Sequence, residues 1–418
     1  MPQLGARLRE EGDENAKELD VLRAGTVIKV LEGCEFTEED WCRVKAMTDD
    51  GEKEGYIRGD LLFRLQMEIS DPGEDGAFAS LPVPPSLMVW DVRFLSQDQL
   101  LLATTHSQHK TPLLFRLSLS MLQQKGLHSL DENQLTVLGY SNLHANGFEI
   151  EQGVLAPNGS KFGLLQKKGY SIYVWDLPKD DAGGQKPSQA MEKCRASQPI
   201  LSIAFGPKGG RVACGGGFGV FLEKVSDNQQ WAVEETPPPA VADLAVALRA
   251  KAREVRGTFN VVAVVRQGEL PYAIYKEQGK SLNQISNGSE PSGDFTSIAM
   301  DKHADWLALG EKTGEVLVAK WDDQNEGFQG ATTIPKMSLS GEITLLTFSE
   351  DSSQLAIASG SQVVVWKKVN QGEGVDWEKQ QLWEREESIK ALAFSPNNAY
   401  LAVLTPRRLL IYRLAPGS

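Results

Sequence analysis

The chain has 418 residues, with 43 Lys+Arg against 56 Asp+Glu, a formal net charge of −13 and 41% hydrophobic residues. That length exceeds what one hydrophobic core serves, so two units are expected unless a repeat array fills most of the chain. It shows no run of 18 apolar residues, no charged-then-apolar N-terminus and no Lys/Arg stripe among aromatics. This argues against a membrane-spanning helix, a secretory signal and nucleic acid as a direct ligand.

Residues 1–64 alternate short β-forming runs with polar turns: TVIKVL, WCRVKA and EGYIRGDLL. Residues 1–80 hold 10 Lys+Arg and 20 Asp+Glu, so they carry −10 of the net charge and leave the rest near neutral. Leu22, Gly25 and Thr26, then Trp41, Asp50-Gly51, Gly55-Tyr56-Ile57 and Leu61-Leu62 fall where a small Src-homology-3 barrel of the bacterial type has its marks. The segment resembles that family. Members that hold proline-rich helices line a groove with aromatics, whereas the matching places here read Leu8-Arg9, Cys42, Arg58 and Leu61. Without aromatic walls a polyproline helix has little to pack on, so an intramolecular or assembly role is expected instead. Cys34, Cys42, Cys194 and Cys214 stand apart in sequence. They fit a reducing intracellular setting, in the cytoplasm or in an organelle after loss of a transit segment, better than a disulfide framework.

Residues 65–86 are a linker rich in Pro, Gly and acids. They hold two candidate strands, 65–70 and 77–83. From residue 87 to the end, one phrase recurs: a short apolar strand, a polar turn, and two further apolar strands. The last apolar residue of each first strand marks the register at Phe94, Leu155, Phe205, Leu248, Met300, Phe348 and Phe394, whose six intervals average 50 residues. A period near 50 with about four short strands per unit is that of a β-propeller and exceeds most helical-pair repeats. Leu248 is the weakest member, because the Ala- and Arg-rich stretch 240–256 suits a strand or a helical insertion. Residues 118–147 make the first repeat the longest and predict an added loop or short helix. The final copy has only three strands, so a strand from 65–86 is expected to complete it and remove an exposed edge.

Trp175-Asp176 and Trp321-Asp322 stand where WD repeats close their third strand, and Trp366-Lys367 is a degenerate version. The repeats resemble that family over roughly residues 85–416, although its Gly-His dipeptide is absent. The fold expected is therefore all-β: a barrel at 1–64, then a seven-bladed propeller at 87–418 closed by an N-terminal strand. The resemblance implies a non-enzymatic scaffold or subunit that binds other proteins within a larger assembly.

In WD-type rings the turn between second and third strands shares a face with the link to the next blade. Here those turns carry Lys167, Lys168, Tyr170, Phe218, Arg266, Lys312, Arg407 and Arg408, with Glu269 and Glu311 as the acids. Cations and aromatics favour interface centres, so this rim is the candidate partner-binding surface, with an acidic or phosphorylated peptide as partner. An ordinary solvated set of turns would read the same. Two other readings remain: a reader of a modified peptide at the axial opening, and a hydrolase using Glu149, Glu151, Asp294 or Glu342, which precede first strands. Gly215-Gly216-Gly217-Phe218-Gly219 lacks the Lys-Ser/Thr of a phosphate loop and reads as a hairpin turn. His106 and His109 are too few for a metal site, His303 falls in a turn, and no serine-hydrolase elbow or cofactor motif is found.

Overall fold

The computed structural model describes residues 5–23, 28–31, 41–48, 51–58, 66–69, 77–85, 87–106, 112–123, 126–129, 135–137, 149–177, 190–226, 230–232, 241–250, 258–266, 272–278, 281–287, 293–322, 327–334, 339, 341–371 and 374–414. These are almost all strand. One short helix, Leu119–Leu122, is capped by the Ser118 hydroxyl, which accepts from the Met121 N–H. It falls in the long first repeat. No helix among the described residues is long and apolar enough to cross a membrane.

The N-terminal unit is a five-stranded antiparallel sheet of Gly5–Arg9, Glu18–Arg23, Ile28–Val30, Trp41–Thr48 and Gly51–Arg58. Leu8, Cys42, Val44, Ala46 and Ile57 form its buried core, with Leu19 packed on it. Gly25, Thr26, Asp50, Leu61 and Leu62 lie outside the described residues.

Among the described residues, seven four-stranded antiparallel sheets follow. Their first strands are Leu87–Phe94, Ile150–Leu155, Ile200–Phe205, Val241–Ala250, Phe295–Met300, Ile343–Phe348 and Ala391–Phe394. Six of the seven register residues close a first strand. The stretch at 241–250 is a strand paired with Thr258–Arg266, not a helix. Its register residue is Val246 rather than Leu248, because each of the other five bulged first strands has its marker four residues beyond the bulge. A strand repeats every two residues, so a slip of two leaves the apolar pattern unchanged.

Both faces of each sheet are covered. Leu307 and Leu309 of the fifth sheet pack with Val261, Ala263 and Ile274 of the fourth. Trp306 and Ala308, on the opposite face, pack with Leu355, Ile357 and Val364 of the sixth. Leu355 and Ile357 face one way and Ala356 and Ala358 the other, toward Leu401 and Val403 of the seventh. Two-sided burial explains why these strands read as continuous apolar runs rather than alternating ones. The first strand of each sheet lies against the first strand of the next, and Ala391–Phe394 lies against Leu87–Phe94.

Polar links run along the same path. In six first strands one residue bulges out of register, at Trp90, Glu151, Leu201, Ala242, Thr296 and Thr344. The residue at or just after the bulge reaches the following sheet. Asp91 Oδ2 accepts from Leu155 N (2.9 Å), Gln152 Oε1 from Ile203 N (3.2 Å) and Asp243 Oδ2 from Ile298 N (3.1 Å). Ser202 Oγ donates to Asp243 Oδ1, and Thr296 Oγ1 donates to Ile343 O at 2.8 Å. Arg93 donates to Leu392 O of the seventh sheet at 3.4 Å.

The turns between first and second strands also repeat. Gly159, Gly209, Ala304, Ser352 and Asn398 each stand four residues past the marker with φ between 56° and 66°, and each N–H closes a turn onto the residue three before it. Only two of the five are glycine. The others are held by side chains: Asp301 accepts from Asp305 N (2.7 Å), Trp306 N (2.9 Å) and Ser352 Oγ (2.6 Å) of the neighbouring turn. Burial pushes the Asp301 carboxyl above its ordinary range, despite these bonds.

Of the two candidate completing strands, Ala79–Pro82 pairs with Arg408–Arg413 as the fourth strand of the last sheet. The other, Gln66–Ile69, pairs with Gly126–Ser129 in a separate two-stranded sheet.

The cysteine reading needs correction. Cys194 and Cys214 form a disulfide, and Cys42 is disulfide-bonded as well. Cys194 follows the outer strand of the second sheet, Met191–Lys193, while Cys214 lies within the third sheet. Residues twenty apart in the chain meet because consecutive sheets stack. Spacing in sequence carries no sign of that.

Three outcomes test these contacts. Leu81 is fully buried between the seventh and first sheets, so Leu81→Ala should cost about 2–5 kcal/mol. Deleting residues 64–86 should lower the melting temperature further; a deleted chain melting with the full one would mean the strand contributes nothing. For Asp301, a raised folded pKa means stability that is present below the ordinary carboxylate pKa and lost as pH rises through the raised value. Asp301→Asn keeps the acceptor, so wild type should lose stability relative to this variant as pH climbs through that window, measured by denaturant midpoints.

Candidate functional site: the turn and linker face

In the second, fifth and sixth sheets the turn between second and third strands lies against the segments that enter a sheet. Ile200 N donates to Gly169 O and Ala196 N to Tyr170 O, while Ile389 N donates to Gly360 O and Arg385 N to Ser361 O. Lys167 N donates to Glu149 O, and Lys312 N to Asp294 O. Each of these three turns is thus sewn by its backbone to a strand entry beside it.

The same neighbours pair through their side chains. Lys167 meets Glu149 at 2.8 Å, Lys312 meets Asp294 at 3.9 Å, and Arg407 meets Glu387 at 3.4 Å. The hydrogen bond and charge of Glu149 hold the Lys167 ammonium above its usual range. The first two pairs face water and are weakened by salt, while Glu387 of the third is half-buried. Their consequence is local: three cations of the expected rim stand beside a carboxylate from the strand entry, and Glu149 and Asp294 are two of the carboxylates considered for acid–base chemistry. Glu151 and Glu342 are exposed.

The remaining rim residues divide. Lys168 is exposed, with φ 55°, at the tip of its turn. Tyr170 is 56% exposed. Arg408 is exposed, and its backbone N–H donates to Thr405 Oγ1 at 3.0 Å. Phe218, by contrast, is buried: it stacks on Phe221 with centroids 4.6 Å apart and offers a partner little surface. Arg266 ends the strand Thr258–Arg266, and its side chain, like residue Glu269, lies outside the described residues.

Gly216 and Gly219 pair as a hairpin around Gly217-Phe218, as the sequence suggests. The glycines have a packing reason: a Cβ at Gly216 would sit 2.6 Å from the Phe218 ring, and one at Gly217 would run into Gln198 of the neighbouring linker. His303 is exposed in its turn. The side chains of His106, His109, His128 and His144 lie outside the described residues.

Leu201 was missed by sequence reasoning. It is 50% exposed, on the same face as Tyr170, because it is the bulged residue of its strand. A bulge reverses the alternation of inward and outward side chains, and nothing in ILSIAF marks where that happens. Compared with known proteins, the chain matches no family model and no curated sequence.

Proposed function

We propose that residues 87–414 form a seven-bladed, divergent WD-type propeller behind an Src-homology-3-like barrel, and that the chain is a non-enzymatic scaffold binding other proteins through the turn and linker face. The ring reading is supported by the apolar cluster and the Arg93–Leu392 bond that join the first and last of the seven sheets. The binding reading is carried by one observation: two of the three large hydrophobic side chains exposed among the described residues, Tyr170 and Leu201, share this face with Lys168. An apolar centre ringed by charge is the anatomy of a protein interface.

A second reading is favoured by Lys168 and Arg408, exposed cations on turns, which would suit an acidic or modified peptide held at the axial opening. The hydrolase reading is weakened by the ion pairs that occupy Glu149 and Asp294.

Co-purification at fixed stoichiometry, with cross-links mapping to this face, is the expected behaviour of native protein. Tyr170→Ala with Leu201→Ala should abolish recovery of partners while leaving the melting temperature within about 2 °C, as substitutions of exposed residues do. Arg407→Glu with Arg408→Glu should weaken recovery by about tenfold if an acidic segment is bound. Undiminished recovery with both double variants would remove this face from consideration.

A further inference from the structure

The second sheet ends in a slight outer strand, as short as those of the first and third sheets. Met191–Lys193 is three residues long and pairs only with Ile172–Val174. A strand this short frays readily unless something else holds it. Three contacts beyond the sheet do so, and all fall on two adjacent residues. Lys193 forms a buried ion pair with Glu223 of the third sheet at 3.5 Å, the two side chains being 2% and 6% exposed. The other Glu223 oxygen, Oε2, accepts from Cys194 N at 2.6 Å. Cys194 Sγ is bonded to Cys214 Sγ.

Cys194 also has φ 52°, a left-handed backbone that a residue other than glycine adopts only when its surroundings impose it. Glu223 N-terminal and C-terminal neighbours lie in the strand Gly219–Lys224, so the acceptor is fixed on a central strand while its donors sit at an edge. The arrangement is asymmetric: the third sheet keeps its ladder whatever the second sheet's edge does. Conversely, if Met191–Cys194 lifts away, Glu223 is left buried without the ammonium and N–H that balance it, which is unfavourable. The covalent bond opposes that excursion together with the ion pair and the N–H bond, and makes it rare without abolishing it.

We infer that the Cys194–Cys214 disulfide is a redox-operated lock on the outer strand of the second sheet. Locking is loss of two electrons and two protons by the thiols to a disulfide or quinone oxidant. Unlocking is the reverse: a dithiol supplies two electrons and two protons, the Sγ–Sγ bond becomes two thiols, and the reductant becomes a cyclic disulfide. Cys194 and Cys214 are fully buried, so a reductant reaches the sulfurs only in rare local openings at the end of the three-residue strand. It follows that the chain acquires its held form in an oxidising environment and loosens at this edge in a reducing one. This inference does not depend on the proposed scaffold role.

The test uses the full chain, purified without reductant. Alkylation of the denatured protein before reduction, read by mass spectrometry, should leave Cys194 and Cys214 unlabelled; quantitative labelling of both would overturn the inference. Adding dithiothreitol to the folded protein should speed amide exchange at least tenfold in residues 172–174 and 191–194, leave residues 354–359 unchanged, and lower the melting temperature by about 5 °C. Cys42 is also disulfide-bonded and would respond to the same reagent, so Cys194→Ala with Cys214→Ala is the control. That variant should exchange fast at 172–174 with or without dithiothreitol. If it exchanges slowly, or if the wild type shows no local change on reduction, the lock does not exist.

Discussion

Every sheet after residue 87 is apolar on both faces, and this constrains all else. A sheet with one wet face can stand at the end of a row; a sheet with two dry faces needs a neighbour on each side. Seven apolar clusters serve these sheets, each drawn from two consecutive ones, and the cluster holding Leu81, Val92, Phe115 and Ile411 joins the last to the first. The large side chains sit on these shared faces, so no sheet has a core of its own. The strand Ala79–Pro82 matters for the same reason: it pairs with the last sheet and contributes Leu81 to the cluster that meets the first.

The polar contacts repeat with the same period and do different work. Apolar burial is non-directional and would tolerate sliding of one sheet over another. Hydrogen bonds that Asp91, Gln152 and Asp243 accept from a backbone N–H of the following sheet set the position along the strand. Burial of Asp91 pushes its carboxyl up, and Arg93 beside it offsets part of that cost. At the opposite ends of the strands, Asp301 fixes one turn against the next through Ser352. The seven sheets are therefore positioned as well as packed, which gives the turn face a rigid base.

On that face, charge is organised by neighbours in space. Three of the cations expected to define a basic rim, Lys167, Lys312 and Arg407, stand beside strand entries that carry acids and form pairs within single repeats. What distinguishes one sector is the exposed apolar surface of Tyr170 and Leu201, at the junction of the second and third sheets. The disulfide and the buried Lys193–Glu223 pair join the same two sheets. No other pair of consecutive sheets among the described residues is cross-linked covalently.

The sequence by itself determined that the chain is all-β, that an acidic N-terminal unit precedes a repeat, and where six of seven first strands end. These follow from local chemistry: apolar runs of strand length, turn residues between them, and a constant spacing. It also indicated that a strand before residue 87 would complete the last sheet. Only the tertiary structure decided which of two candidates does so, that 241–250 is a strand with its marker at Val246, that Phe218 is buried and Leu201 exposed, and that Cys194 reaches Cys214. Each of these depends on what lies beside a residue in the neighbouring sheet or on a one-residue bulge. A linear pattern records which residues are apolar, but not which surface they will meet.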